Sequence, residues 1–143
     1  MSTVNMKQIG DGSAGLEGYD KNTGDFIFLD LQYTTTSALT TSGPVVNRQM
    51  VVHNITFCPD AASTNAVTMQ VYAAPSGTAL GSGTALLSAP MAINGTAATN
   101  VVGALSTVAG ALVVPAGSRV GFVISGAIGA AGAGTVTICA NPA

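Results

Sequence analysis

Residues 10–15 read Gly-Asp-Gly-Ser-Ala-Gly, the G-x-G-x-x-G spacing that lets a backbone approach a pyrophosphate. That chemistry needs a strand before the loop and a helix after it, whose free N–H groups hold the phosphate. The residues that follow, LEGYDKNTGD, carry two more glycines and no helical period, so the context does not support a nucleotide site. His53 is the single histidine. A general base needs an orienting partner and a proton to take. No Ser–Asp arrangement stands near His53, and strand alternation puts it on the face of Val51, Ile55 and Phe57. That predicts a hydrogen-bonded structural histidine at an edge or interface. Asp20, Asp25 and Asp30 recur every five residues, whereas a calcium loop spaces its oxygen ligands more closely. They read as solvated loop carboxylates.

Cys58 and Cys139 lie 81 positions apart, neither a disulfide framework nor a zinc pattern. Two buried thiols are expected, with a disulfide between neighbouring strands as the alternative. Asn54-Ile-Thr56 and Asn94-Gly-Thr96 match the N-glycosylation pattern and read more simply as a strand asparagine and a hairpin turn. The expectation is therefore no catalytic residue, no cofactor and no metal: a protein that is not an enzyme.

The elements that must carry these residues are strands. Only 7% of the 143 residues are charged, against roughly 25% in an average domain. The apolar residues are largely Ala and Val, Gly, Ser and Thr fill most of the remainder, and Gly, Thr, Val and Ser all sit low on the helix scale. FIFLDLQY (26–33) is aromatic and β-branched, and VVNRQMVVHNITF (45–57) is long enough for one bent strand or two. In AVTMQVYA, Val67, Met69 and Val71 alternate with Thr68, Gln70 and Tyr72, the period of a half-buried strand. Val120, Phe122 and Ile124 alternate likewise with Arg119, Gly121, Val123 and Ser125, and Val136 and Ile138 with Thr135, Thr137 and Cys139. TALLSAPMAI (84–93) and GALVV (110–114) read as less regular strands, and residues 99–114 leave room for a short helix. Turn residues separate these runs at SGP, CPD, APSG, NG and VPAG, the last as a type I turn with Pro115 in its second position.

About eight short strands with regular turn signals predict an all-β protein, a jelly-roll-like β-sandwich over residues 26–143. Residues 1–25 are Gly-rich, mixed in charge and without periodicity, and are expected to form an extended N-terminal arm.

Charge narrows the partners. Four Lys and Arg are scattered through a chain of net charge −2, so no basic footprint for nucleic acid exists. The most apolar run, residues 120–133, is 14 long with four glycines, short of the roughly 20 needed to span a membrane. The N-terminus has no apolar core after Lys7, which predicts a chain made and used without crossing a membrane by a signal of its own. Of ten charged residues, only Arg119 lies beyond Asp60. A surface this poor in charge stays soluble when neighbours cover it, and interface cores are charge-depleted. Composition thus points to a subunit of an assembly.

The stretches MQVYAAPSGTALGSGTALLSA (69–89), VPAGSRVGFVISG (114–126) and GTVTICANP (134–142) resemble tailed-bacteriophage head decoration, or cement, proteins. The shared pattern is a strand, an alanine/glycine hairpin, then PAG-x-R-V-G entering an apolar strand. Relatives often carry an acidic residue where this chain has Ser118. The resemblance implies a β-sandwich, often a homotrimer, on the outer capsid surface of the virion, clamping adjacent major capsid subunits. The arm, with Lys7, Glu17, Tyr19, Asp20 and Lys21, would then be a strap over neighbouring subunits. Arg119 has two readings. It is a strand-end charge that blunts an edge, or a contact to a carboxylate or carbonyl of a neighbour. The alternative function is a head-fibre or tail module that binds a receptor or glycan.

Overall fold

The computed structural model describes residues 27–35, 39–61, 65–126 and 132–143. The arm expected over residues 1–25 lies outside them, as do Lys7, Glu17, Tyr19, Asp20 and Lys21. The alternating runs form the long strands β1 (Ile27–Thr35), β2 (Leu39–Val45), β3 (Met50–Pro59) and β4 (Thr68–Ala74). A 3-10 turn at Leu80–Ser82 follows. Four two-residue strands come next: β5 (Thr84–Ala85), β6 (Met91–Ala92), β7 (Val101–Val102) and β8 (Val113–Val114). Two long strands, β9 (Arg119–Ser125) and β10 (Gly132–Pro142), complete the fold. Residues 45–57 hold the last residue of β2, a short link and most of β3, and residues 99–114 hold turns and strand tips rather than a helix. No helix of the described residues is long and apolar enough to cross a membrane.

The strands form two antiparallel sheets. One runs β1-β10-β3-β7, with β8 also on β3; the other runs β2-β9-β4-β5, with β6 also on β4. β5 and β6 are two ends of one interrupted strand, because both pair with β4. β7 and β8 are likewise the ends of another, both on β3. Counted so, eight strands pair first with last, second with seventh, third with sixth and fourth with fifth. A long hairpin wrapped on itself gives this pairing, and the β3–β10 and β4–β9 ladders close the roll. The architecture is a jelly-roll β-sandwich.

The inner faces supply the core. Phe57, Met50 and Ile55 from β3 meet Phe122 and Ile124 from β9, Met69 and Val71 from β4, and Val136 and Ile138 from β10, all buried. The alternation read from β4, β9 and β10 is therefore the true inward set. β2 carries Gly43 at its closest approach to β1, where a Cβ would run into the Leu31 side chain and the Val120 carbonyl oxygen.

The two interrupted strands join the sheets along one flank. Between β5 and β6 the chain leaves β4, and between β7 and β8 it leaves β3. These excursions pair with each other: Ser88 N–H donates to Ala104 O and Ser106 N–H to Leu86 O, both at 2.9 Å, with Leu87 opposite Leu105. Gln70 makes this possible. Its Oε1 accepts from Val71 N–H (2.9 Å) and Leu87 N–H (3.3 Å), and its Nε2 donates to Leu87 O (3.2 Å). One side-chain amide therefore stands in for the missing stretch of ladder, satisfying backbone groups that burial would otherwise orphan. Alternation placed Gln70 on the outward face, which is correct. It is nonetheless buried, because the excursion lies over it.

Candidate functional site

At one end of the sandwich the chain makes the same turn twice. Pro75-Ser76-Gly77-Thr78 and Pro115-Ala116-Gly117-Ser118 each close with the fourth N–H donating to the proline carbonyl at 3.1 Å. Gly77 and Gly117 take φ of 84° and 85°. That left-handed third position is where a type II turn wants glycine. The turn at Pro115 therefore starts one residue later than the sequence suggests. Val114 is held in β8 opposite Met50, so the proline becomes the first corner and not the second.

The β2–β3 link lies against the second turn: Val46 N–H donates to Ser118 O and Gly117 N–H to Val46 O, both at 2.8 Å. Arg119 follows at the start of β9, opposite Val45 of β2 and Ala74 of β4. Its Nη2 donates to the Thr78 carbonyl of the first turn, and its Nη1 reaches Ser42 Oγ at 3.4 Å. One half-buried guanidinium thus ties a turn and a neighbouring strand together. A groove of about 480 Å³ opens here, lined by Val45, Ser76, Gly77, Thr78, Gly117 and Arg119. A second, of about 550 Å³, shares Ser76 and Gly117 and runs on past Pro115 and Ala116.

Charge at this end is one-sided. Among the charged side chains of the described residues, Arg48 and Arg119 are the cations and Asp30 and Asp60 the carboxylates. Asp30 sits midway along β1 and accepts from Thr137 Oγ1 at 2.8 Å. Asp60 is at the far end of β3, where its N–H donates to Ala133 O. Arg119 has no carboxylate partner among the described residues, and its Nε is buried without an acceptor.

The joined flank is the second candidate surface. Residues 61–118 contain no charged side chain. Val102 is 67% exposed and Val108 70%, and Val113 is also exposed. A groove of about 310 Å³ runs between the excursions, lined by Gln70, Leu87, Pro90, Ser106, Val108 and Ala111. Alternation gave no hint of this surface; the signal was the long absence of charge.

The remaining candidates scatter. His53 is exposed, and not on the face of Ile55 and Phe57 as alternation suggests. The register slips between Cys139 and Ala140, which face Asn54 and Val52, so His53 is the extra residue of a β-bulge. One inserted residue inverts the parity of everything before it. Cys58 and Cys139 are free and half-buried, because Phe57, Val136 and Ile138 take the inward positions beside them. They face Thr135 and Asn54, four residues out of step, or about 13 Å along the strands, which rules out a bridge. Asn54 Nδ2 donates to Thr56 Oγ1 at 3.2 Å on the exposed face. Asn94-Gly95 lies in the link from β6 to β7, which crosses between the sheets, and forms no hairpin. Among the described residues no group of three His, Cys, Asp or Glu could hold a metal.

No known protein-family model matches the chain, and no curated protein does. Among solved structures, the chain is similar to one from the cyanophage Pam1 capsid asymmetric unit, with 16% identity over 84% of this chain and 86% of that one, at a TM-score of 0.46. It is also similar to the infectious bursal disease virus VP2 subviral particle, at 12% identity over 82% of this chain, and to the Gx strain of that virus, also at 12%. Those TM-scores are 0.39 and 0.37. The chain covers 33% of the VP2 chain.

Proposed function

We propose that this protein is a structural component of a phage virion, which sits on the outer capsid surface and cements adjacent major capsid subunits. The observation that carries the reading is the joined flank: a jelly-roll side presenting exposed valines and no charge over residues 61–118. Free in solution such a surface is an aggregation liability; covered by neighbours it is an interface core. The resemblance of residues 69–89, 114–126 and 134–142 to head decoration proteins supports the same reading. A homotrimer is the assembly expected, with residues 1–25 as the strap onto coat subunits and Arg119 as a contact. Of the aromatic side chains the structure describes, Phe57 and Phe122 are buried and Tyr72 is half-buried, so none offers the exposed stacking surface that glycan binding wants.

The test is reconstitution. Purified protein added to expanded capsids that lack it should bind at stoichiometric sites and raise their melting temperature. Binding to host cells or polysaccharide with no change in capsid melting would replace this reading with a receptor-binding one.

A further inference from the structure

We propose that in the free protein, before any contact with a capsid, the groove at Arg119 is a carboxylate seat filled by the acidic N-terminal segment of the same chain. The argument starts from a charge without a counter-charge. Arg119 is half-buried, spends two of its five N–H donors on Thr78 O and Ser42 Oγ, and meets no carboxylate among the described residues. Withdrawing a guanidinium from water is costly unless an anion or strong acceptors replace the water. Thr78 and Ser42 are neutral. Ser118, its neighbour in the chain, supplies no charge either. Ala143 donates its N–H to Gln49 O and lines neither groove.

The missing carboxylates are in residues 1–26, which hold Asp11, Glu17, Asp20 and Asp25 against Lys7 and Lys21. That segment leads into β1, whose first residue is at this end. Ile27, the first residue of β1, lies opposite Ala140, which lies opposite Val52 near the start of β3. The β2–β3 link that leads into β3 is hydrogen-bonded to the turn carrying Gly117 and Ser118. Asp20 is seven residues from Ile27, a reach of up to about 23 Å, against the roughly 10 Å between packed sheets, whereas Asp25, two residues away, reaches only about 7 Å. Glu17 lies between Leu16 and Gly18, and Asp20 follows Gly18 and Tyr19. The groove is walled by the small residues Ser76, Gly77, Gly117 and Ala116, which leaves room for a chain to lie in it. The N–H donors left on Nη1 and Nη2 can donate to a carboxylate, which that segment supplies. None of this depends on the virion reading.

Amide hydrogen exchange on the full-length protein tests it. Neutralising the segment with Glu17→Gln, Asp20→Asn and Asp25→Asn should speed exchange at Thr78 and Ser118, and at their loop neighbours, by on the order of fivefold. Exchange in β4, β9 and β10 should not change. About 1 M salt, with a screening length near 3 Å, should do the same to the unaltered chain. Lys7→Gln with Lys21→Gln should leave the loops as protected as before. The expected protection is independent of protein concentration. Equal exchange in the neutralised and unaltered chains overturns the proposal, and so does faster exchange in every strand. Protection that fades on dilution also overturns it, because the groove is then filled by a second copy.

Discussion

The two long sides of this sandwich solve the same problem differently. On one side β1 and β2 are the outermost strands, and each runs seven residues or more. β2 is blunted there by Pro44 and by a register break between Ser42 and Val45. On the other side no strand exceeds two residues, yet the two sheets are linked to each other by backbone hydrogen bonds. The first side keeps regular ladders and leaves an edge. The second gives up its ladders and abolishes the edge. Closing the second side allows it to be free of charge, because it offers no unpaired strand for another chain to extend.

If the regular strands hold the fold and the joined flank only completes it, the largest loss should come from their core. Phe122 is fully buried in β9, between β2 and β4. Phe122→Ala should cost about 3–5 kcal/mol, read as a shift in the denaturant midpoint. A loss under about 1 kcal/mol would mean that the two sheets are not held together by this core.

The flank should fail separately. Gln70→Leu keeps the volume and removes the amide, leaving Val71 N–H and Leu87 N–H without an acceptor. At about 1–3 kcal/mol for each buried group left unpaired, the loss should be about 2–4 kcal/mol. The better readout is its location. Amide exchange should rise at Leu86–Ser88 and Ala104–Ser106 well before it rises in β9 or β10. A uniform rise would show that the flank and the regular strands are one cooperative unit.

A smaller, steric test follows. A Cβ on Gly103 would stand 2.6 Å from Leu87 Cδ2 and 3.3 Å from Met91 Sδ, just where the two excursions meet. Gly103→Ala should cost about 1–3 kcal/mol, since the leucine can yield only by displacing its packed neighbours. Gly95→Ala, in the same uncharged stretch but with open space around it, should leave the melting temperature unchanged. Equal effects at the two positions would remove the excursion contact as the cause.

The same division decides what could be read from sequence. β4, β9 and β10 were legible because each has one wet or solvent-near face, which writes a period of two. TALLSAPMAI and GALVV were legible only as less regular strands, which β5, β6 and β8 are; the excursion that buries Leu86 and Leu87 has no strand period to show it. Local propensity has no term for two loops that pair with each other across a sandwich. His53 failed for a different reason. Parity arguments assume an unbroken ladder, and the bulge in β3 is set by its partner β10, about 85 residues away in sequence. At the arginine end the turn residues were legible and their phase was not, since β8 pairing fixes which residue is the first corner. The uncompensated charge of Arg119 appears only once Thr78 and Ser42 are brought to it.

The smallest effect on stability should accompany the largest effect on assembly. Val102 and Val108 are exposed on the flank, so Val102→Lys and Val108→Lys should change folding stability by less than about 0.5 kcal/mol. If the flank is covered on the capsid, each lysine must be buried without a partner or force the interface open, and affinity should fall by on the order of tenfold or more. Co-sedimentation with capsids measures this, and the melting temperature of the free protein serves as the internal control. Gln32→Lys is the contrasting change: it adds the same charge to an exposed position on β1, on the open side. It should leave capsid binding intact. The reverse pattern, with Gln32→Lys defective and both valine variants competent, would assign the covered surface to the regular edge and leave the flank as a charge-free side with no partner.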